Sequence, residues 1–247
     1  DRDVTGVQTC ALPIWDVSKY GEGGKENFIR KQILPNFYAF ELMMAPYAIG
    51  HMKIAYLLES LGFEMKGDDS FKLYLTNTLE IEEIQATSLP FVNTLSKESH
   101  KAAKVKQEPI LVVLGNPPYS GISSNQNEWT EKLLKTDIDF AQSYYKVDGN
   151  PLRERKIWLQ DDYVKFLRFA QWKIQKAGKG IVAMITNHAW LANPTFRGMR
   201  QSLSNTFDKL YVIDLHGSTL RNEQTPVGSK DENVFDIQVG VSINIFV

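Results

Sequence analysis

The chain has 247 residues, 43% of them hydrophobic, which is enough for a substantial core in one large domain or two small ones. Lys plus Arg number 28 and Asp plus Glu 29, a net charge of −1, which excludes a broad electrostatic footprint for nucleic acid and leaves phosphate contacts to local patches or to regions outside this sequence. The single cysteine excludes a disulfide or a cysteine metal site, and no apolar run reaches the ~18 residues of a membrane-spanning helix.

Residues Val4 to Ile14 read, codon for codon, as the translation of a common sequencing-library adapter. Residues 1–14 are therefore expected to be an assembly artefact, and Cys10 goes with them. Gly21-Glu22-Gly23-Gly24 is glycine-rich, but no apolar strand precedes it, so it reads as a linker. Asn36 to Phe40 predicts a short buried strand closed by Glu41. A carboxylate at the end of such a strand in a nucleotide-binding fold is placed to accept both ribose hydroxyls, with Leu42 against the purine. The alternative for Glu41 is an acid favoured by the dipole of the next helix. Pro46 suits that helix's first turn, and Met44, Ala48, Met52, Ala55 and Leu58 form an apolar stripe expected to face the core.

Phe71 to Leu75 alternates and predicts a strand, with Thr76-Asn77-Thr78 as the loop at its end. Residues 80–108 are polar, and Lys97, Lys101 and Lys104 share one helical face that reads as solvated. His51 and His100 lack partners at metal spacing, so no metal site is expected.

Ile110 to Gly115 is too short for a helix and long enough for one buried parallel strand. It stops in Asn116-Pro117-Pro118-Tyr119, because consecutive prolines cannot continue a ladder. The tetrapeptide therefore sits at the strand's carboxyl edge, where open α/β sheets bind ligands. An exocyclic amine conjugated to an aromatic ring is a poor nucleophile, since its lone pair is delocalised. The Asn116 side-chain oxygen and the Pro117 carbonyl, each taking one N–H, would favour a pyramidal nitrogen whose lone pair faces an electrophile. Tyr119 adds a face on which a planar base stacks. A plain Pro-Pro turn is the bland alternative.

Ser120 to Asn127 is small, polar and expected to be mobile. Asp161 and Asp162 open a helix with Tyr163, Phe166, Leu167, Ala170 and Ile174 on one face, ending near Gly178. Gly180 to Ile185 predicts a buried strand that brings Thr186 to Trp190 to the same sheet edge as Asn116. Phe196 to Leu203 predicts a helix whose Arg197 and Arg200 face one way, toward phosphate if DNA is bound, and Leu210 to Leu215 a further strand. Val234 to Gln238 and Val241 to Phe246 either pair around Val239-Gly240 or make one strand entered from a loop. The alternation predicts an α/β doubly wound sheet, largely parallel, with an antiparallel strand near the end.

The tetrapeptide resembles motif IV of the amino-methyltransferases that use S-adenosyl-L-methionine, in the form typical of DNA adenine-N6 enzymes. Four ordered blocks widen the match: Phe40 to Ile49, Leu73 to Glu80, Leu114 to Gly121 and Asn233 to Gln238. Together they resemble the methyltransferase part of single-chain type ISP restriction-modification enzymes, over about residues 16–247. The resemblance implies a Rossmann-like S-adenosylmethionine-dependent methyltransferase fold. Residues 15–247 would be a partial domain, from motif II to motif VIII, without the first central strand, its glycine-rich turn and the target-recognition domain. Such a fragment is expected to be inactive alone.

By the same resemblance the cofactor is S-adenosyl-L-methionine, touched by Glu41, Leu42 and Asn77. Relatives more often carry Asp at Asn77, and a simple Asx turn is the alternative there. Asn116, Pro117, Pro118 and Tyr119 would be catalytic, with Tyr119 and Phe235 around the flipped adenine of double-stranded DNA; a core phenylalanine is the alternative for Phe235. The reaction implied is direct in-line methyl transfer to N6. It needs no strong base, so His188 reads as structural. Helicase, nuclease and target-recognition regions of a longer chain would be its partners, in the bacterial cytoplasm. Two other readings remain open: methylation of a protein glutamine amide, or an inactive DNA-binding or scaffold segment.

Overall fold

In the computed structural model, which describes residues 21–67, 69–81, 90–118, 121, 123, 125–138, 141–153, 157–235 and 237–247, the chain divides after Glu108 into two units. In the first, α1 (Glu22–Phe28) runs without a break into a π-helical segment, Ile29–Ile33, and a closing turn, Leu34–Asn36. The glycine-rich stretch read as a linker therefore opens a helix. Ile29, Ile33 and Leu34 are buried in this unit's core, and that burial outweighs the poor helix propensity of glycine. Asn36, expected in the strand, belongs to the closing turn.

Two parallel strands follow, β1 (Tyr38–Glu41) and β2 (Lys72–Leu75), in register from Tyr38 opposite Lys72 to Glu41 opposite Leu75. The crossover is α2 (Met44–Ser60), and α3 (Pro90–Gln107) comes after β2. Pro46 sits in the first turn of α2 as expected. The core stripe sits only partly where expected. Leu58 is buried, but Met44, Ala48 and Met52 are exposed, and Pro46, Gly50 and Ile54 are buried instead. A helix apolar on most sides gives periodicity no single face to pick out, so packing against Phe63, Phe71 and Leu73 makes the choice.

The second unit carries a sheet of β3 (Val112–Gly115), β6 (Ile181–Asn187), β8 (Val241–Phe246) and β7 (Leu210–Asp214), in that spatial order. β3 and β6 are parallel, and β8 runs antiparallel to both β6 and β7. Residues 234–235 and 237–240 form the loop that enters β8, so the single-strand alternative holds. Between β3 and β6 lie α4 (Glu128–Lys135), a small hairpin of β4 (Lys146–Val147) and β5 (Asn150–Pro151), and α5 (Asp162–Ala177), which stops at left-handed Gly178. α6 (Arg197–Thr206) joins β6 to β7.

One face of this sheet is core: Val182, Met184 and Phe246 pack with Tyr163, Leu167, Ala170, Met199 and Leu203 of α5 and α6. Residues of the other alternation, Val112, Ile181, Tyr211, Ile213 and Ile245, are exposed. The run before Asn116 is thus not a fully buried strand. β3 starts only at Val112, and Leu111 and Val112 are 53% and 51% exposed, because among the described residues β3 pairs with β6 alone.

Candidate functional site

Asn116 follows β3 directly and is half-buried, Pro117 is buried and Pro118 is exposed; Tyr119 lies outside the described residues. The parallel register, Gly115 opposite Met184, brings Asn116 and the end of β6 to one edge, as the sequence predicts. Beyond that edge the described part of the loop is held down. Asp162 Oδ1 accepts from Ser123 Oγ at 2.5 Å and from Asn125 Nδ2 at 2.8 Å, and Lys165 Nζ donates to Ser123 Oγ at 2.8 Å and the Asn125 carbonyl at 2.6 Å. Ser123, Asp162 and Lys165 are all buried, so this part of the segment expected to be mobile is an anchored turn. Spacing could not reveal it, because the partners lie 37 to 42 residues downstream.

At the end of β6, Asn187 caps a short turn through the Ala189 amide at 2.8 Å, and His188 is buried. Its Nδ1 lies 3.0 Å from Asp214 Oδ1 and its Nε2 3.6 Å from Glu223 Oε1. Gly240 faces the same ring: a Cβ there would stand 2.4 Å from His188 Cε1. Ring nitrogens and carboxylate oxygens of His188, Asp214 and His216 fall within 4.8 Å of one another, as do those of His216, Glu223 and Asp231. His188 is thus clamped from both sides, consistent with its structural reading. The clamping partners come from 26 or more residues away in sequence and were not foreseen.

In the first unit, Glu41 ends β1 and its Oε1 accepts from the Met43 amide at 2.9 Å, just ahead of α2. Leu42 is 62% exposed beside it. Asn77 makes an Asx turn, its Oδ1 accepting from the Leu79 amide at 3.0 Å, and its amide donates to Glu80 Oε1 at 3.0 Å. Sequence reasoning missed Lys106. It is buried on α3 and donates to Thr76 Oγ1 at 2.9 Å and to the Asn77 and Glu80 carbonyls at 2.7 Å each, fixing the loop after β2. Burial pushes its pKa down to about 8, against a pull upward from Glu80. It was hidden among lysines of one polar helix, and no local pattern separates it from Lys101, which pairs with Glu98 at 3.4 Å.

Residues 46–220 match the Eco57I restriction-modification methylase family. The chain belongs to this family. Solved structures with a similar fold include the ATP-dependent type ISP restriction-modification enzyme LlaBIII bound to DNA, at 24% identity and a TM-score of 0.71 over 97% of this chain and 16% of that one. A DrdV–DNA complex gives 23% identity and 0.68, over 98% of this chain and 22% of that chain. A nuclease-deletion mutant of the type ISP enzyme LlaGI with a DNA substrate mimic gives 20% and 0.69, over 98% and 19%. This methylase-family chain spans only 16 to 22% of the length of those proteins. No curated protein matches it.

In this family member Phe235 is 37% exposed, on the loop before β8, so the core alternative for it fails. Arg200 is tied to the fold at one end of its guanidinium, Nη1 donating to the Trp190 and Asn193 carbonyls at 2.6 and 3.0 Å. Asp161, read as a helix opener, has a further property. It is buried, its Oδ1 makes no hydrogen bond among the described residues, and burial pushes its pKa up to about 6 against the pull of the Asp162, Gly121 and Tyr163 amides. A carboxyl group raised in the folded state adds stability that is complete below about pH 4 and is lost as pH rises through about 6. Asp161→Asn is expected to flatten that loss and raise neutral-pH stability by up to about 3 kcal/mol. Urea midpoints of wild type and variant between pH 4 and 8 check it; parallel profiles would show that Asp161 does not titrate with folding.

Proposed function

We propose that the chain is the acceptor-binding and partial cofactor-binding portion of a DNA adenine-N6 methyltransferase within a bacterial, cytoplasmic restriction-modification enzyme. The observation that carries this reading is Asn116-Pro117 at the carboxyl end of a parallel strand, with the end of β6 at the same edge, in a member of a restriction-modification methylase family. Asn116 Oδ1 and the Pro117 carbonyl would each accept one N–H of a flipped adenine from double-stranded DNA. Pro117, buried and with φ fixed by its ring, holds its carbonyl in place before substrate arrives, so little reorganisation accompanies the reaction. Pro118 stiffens the same turn, and Tyr119 and Phe235 would supply aromatic contacts to the base.

The cofactor is S-adenosyl-L-methionine, whose sulfonium supplies an electrophilic methyl group when bound. The residues present fit its adenosine end. Glu41 has one oxygen on the Met43 amide, and its other oxygen makes no hydrogen bond among the described residues and can accept from ribose hydroxyls; exposed Leu42 offers an apolar surface to the purine. Asn77 would stand near the adenine amine, at the loop after β2 that Lys106 holds. A further central strand with a glycine-rich turn would complete the cofactor site. In its favour, β1 and β3 are each parallel strands with one neighbour among the described residues. Helicase, nuclease and target-recognition regions would belong to the longer chain.

In a complete enzyme carrying this chain, Asn116→Ala is expected to reduce DNA methylation about a hundredfold to a thousandfold, the range for losing a prearranged transition-state contact. Binding of S-adenosylmethionine, followed by calorimetry, is expected to stay near normal. Retained turnover would remove Asn116 from the chemistry, and methyl transfer to a protein glutamine amide rather than to DNA would replace the substrate.

A further inference from the structure

Between β7 and β8 the described residues 215–235 and 237–240 form a loop, and three of its side chains converge. A ring nitrogen of His216 and carboxylate oxygens of Glu223 and Asp231 lie within 4.8 Å of one another. Nitrogen and oxygen ligands of a tetrahedral ion, each about 2.1 Å from it, stand about 3.4 Å apart, so small side-chain rotations bring all three onto one centre.

The backbone sets the two acids side by side. The Asp231 amide donates to the Glu223 carbonyl at 3.0 Å, and Gln224 and Lys230 pair as an antiparallel bridge next to them. Like charges facing each other across antiparallel segments repel, and among the described residues no lysine or arginine pairs with either carboxylate. A cation between them removes the conflict.

A second layer holds these groups in place. Asp214 accepts the His216 amide at 3.0 Å through Oδ1 and keeps Oδ2 3.7 Å from His216 Nδ1, the contact by which a carboxylate orients a metal-binding imidazole. His188, only 6% exposed, reaches both layers, with Nδ1 3.0 Å from Asp214 Oδ1 and Nε2 3.6 Å from Glu223 Oε1. The Ser218 amide donates to Glu223 Oε2 at 2.8 Å, and Asn233 Nδ2 donates to the Gly217 and Val239 carbonyls at 3.1 and 2.6 Å. The loop is thus tied beside both His216 and Asp231 by bonds of its own.

We propose that His216, Glu223 and Asp231 bind a divalent transition-metal ion of the zinc class. None of the three serves methyl transfer in the reading above, so this inference stands apart from it. An imidazole among the donors favours zinc and its neighbours over Mg2+ and Ca2+, which take oxygen ligands. Two carboxylates offset the charge of the ion, and three protein ligands leave a fourth position to water. The ion staples residue 216 to residues 223 and 231 and so stiffens the loop on which Phe235 stands. Spacings of seven and eight residues match no common metal motif, which is why the sequence shows no metal site.

The chain, stripped of metal with EDTA and dialysed, is titrated with Zn2+ by calorimetry, with Mg2+ and Ca2+ as controls. One Zn2+ per chain is expected, bound at least about a hundredfold tighter than either control. Asp231→Asn is expected to weaken Zn2+ binding at least about tenfold and His216→Ala more than about a hundredfold, since losing a ligand costs more than losing its supporting partner. Cys10→Ser and His100→Gln are expected to leave binding unchanged. Thermal unfolding without metal checks that each variant folds, and either folded ligand variant decides the question. The proposal is overturned by the absence of stoichiometric Zn2+ binding, by equal affinity for Mg2+ or Ca2+, by unaltered binding in His216→Ala or Asp231→Asn, or by loss of binding in Cys10→Ser or His100→Gln.

Discussion

Arg168→Met is expected to destabilise the second unit by about 3–5 kcal/mol, one of the largest losses any single side chain here should produce. Arg168 is among the largest fully buried side chains, in the middle of α5. Its Nε donates to the Leu133 carbonyl at 2.7 Å and its Nη1 to Gln171 Oε1 at 2.9 Å and Ser202 Oγ at 3.3 Å. Nη2 reaches the Thr136 and Ala141 carbonyls at 3.5 and 3.4 Å, and the guanidinium lies 5.0 Å from the centre of the Tyr144 ring. One group therefore closes the end of α4, the loop after it, and α6 onto α5. Methionine fills much of the volume but leaves several carbonyls without their donor, each costing about 1–3 kcal/mol. Lysine is not expected to rescue it, since a single ammonium cannot span donors set in a planar fork. Urea unfolding followed by the second unit's tryptophans checks this, and a loss under about 1 kcal/mol would mean that water replaces the fork.

Gly198→Ala is expected to cost about 3 kcal/mol despite putting a better helix former into α6. The gain in helix propensity is at most about 1 kcal/mol. Against it, the new Cβ would stand 2.3 Å from the Tyr144 carbonyl oxygen and 2.5 Å from that of Lys146, and these are backbone atoms that cannot swing aside. The helix cannot retreat either. Ser202 Oγ donates to the Gln142 carbonyl at 2.6 Å, and Gln201 Nε2 to Asp148 Oδ1 at 2.6 Å, holding α6 onto residues 142–148. Thermal unfolding should show a fall of several degrees. An unchanged or raised midpoint would mean that the hairpin segment yields.

The parts of this protein legible in its sequence are those set by short-range grammar. The apolar run ending in Asn116-Pro117-Pro118, the α5 span with its Gly178 stop, and β6 and β7 all follow from periodicity and from what proline and glycine forbid. The rest depends on residues far apart in the chain. Which face of α2 is buried, the anchoring of Ser123 by Asp162 and Lys165, the Lys106 clasp on the loop after β2 and the clamp on His188 are all decided by packing. Glycine-rich residues 21–24 misled for the same reason, because the buried residues that make them helical come later. Within the candidate site, the place of Asn116 was readable and the unmatched Asp161 was not. An aspartate before a helix usually caps it, and nothing local distinguishes one that does not.

The sheet of the second unit is dressed on one side only, with Tyr211, Ile213 and Ile245 bare on the other. Water loses orientational freedom against so many adjoining hydrocarbon groups, and any surface that displaces it gains. In solution the chain should therefore be adhesive and prone to clump as its concentration rises.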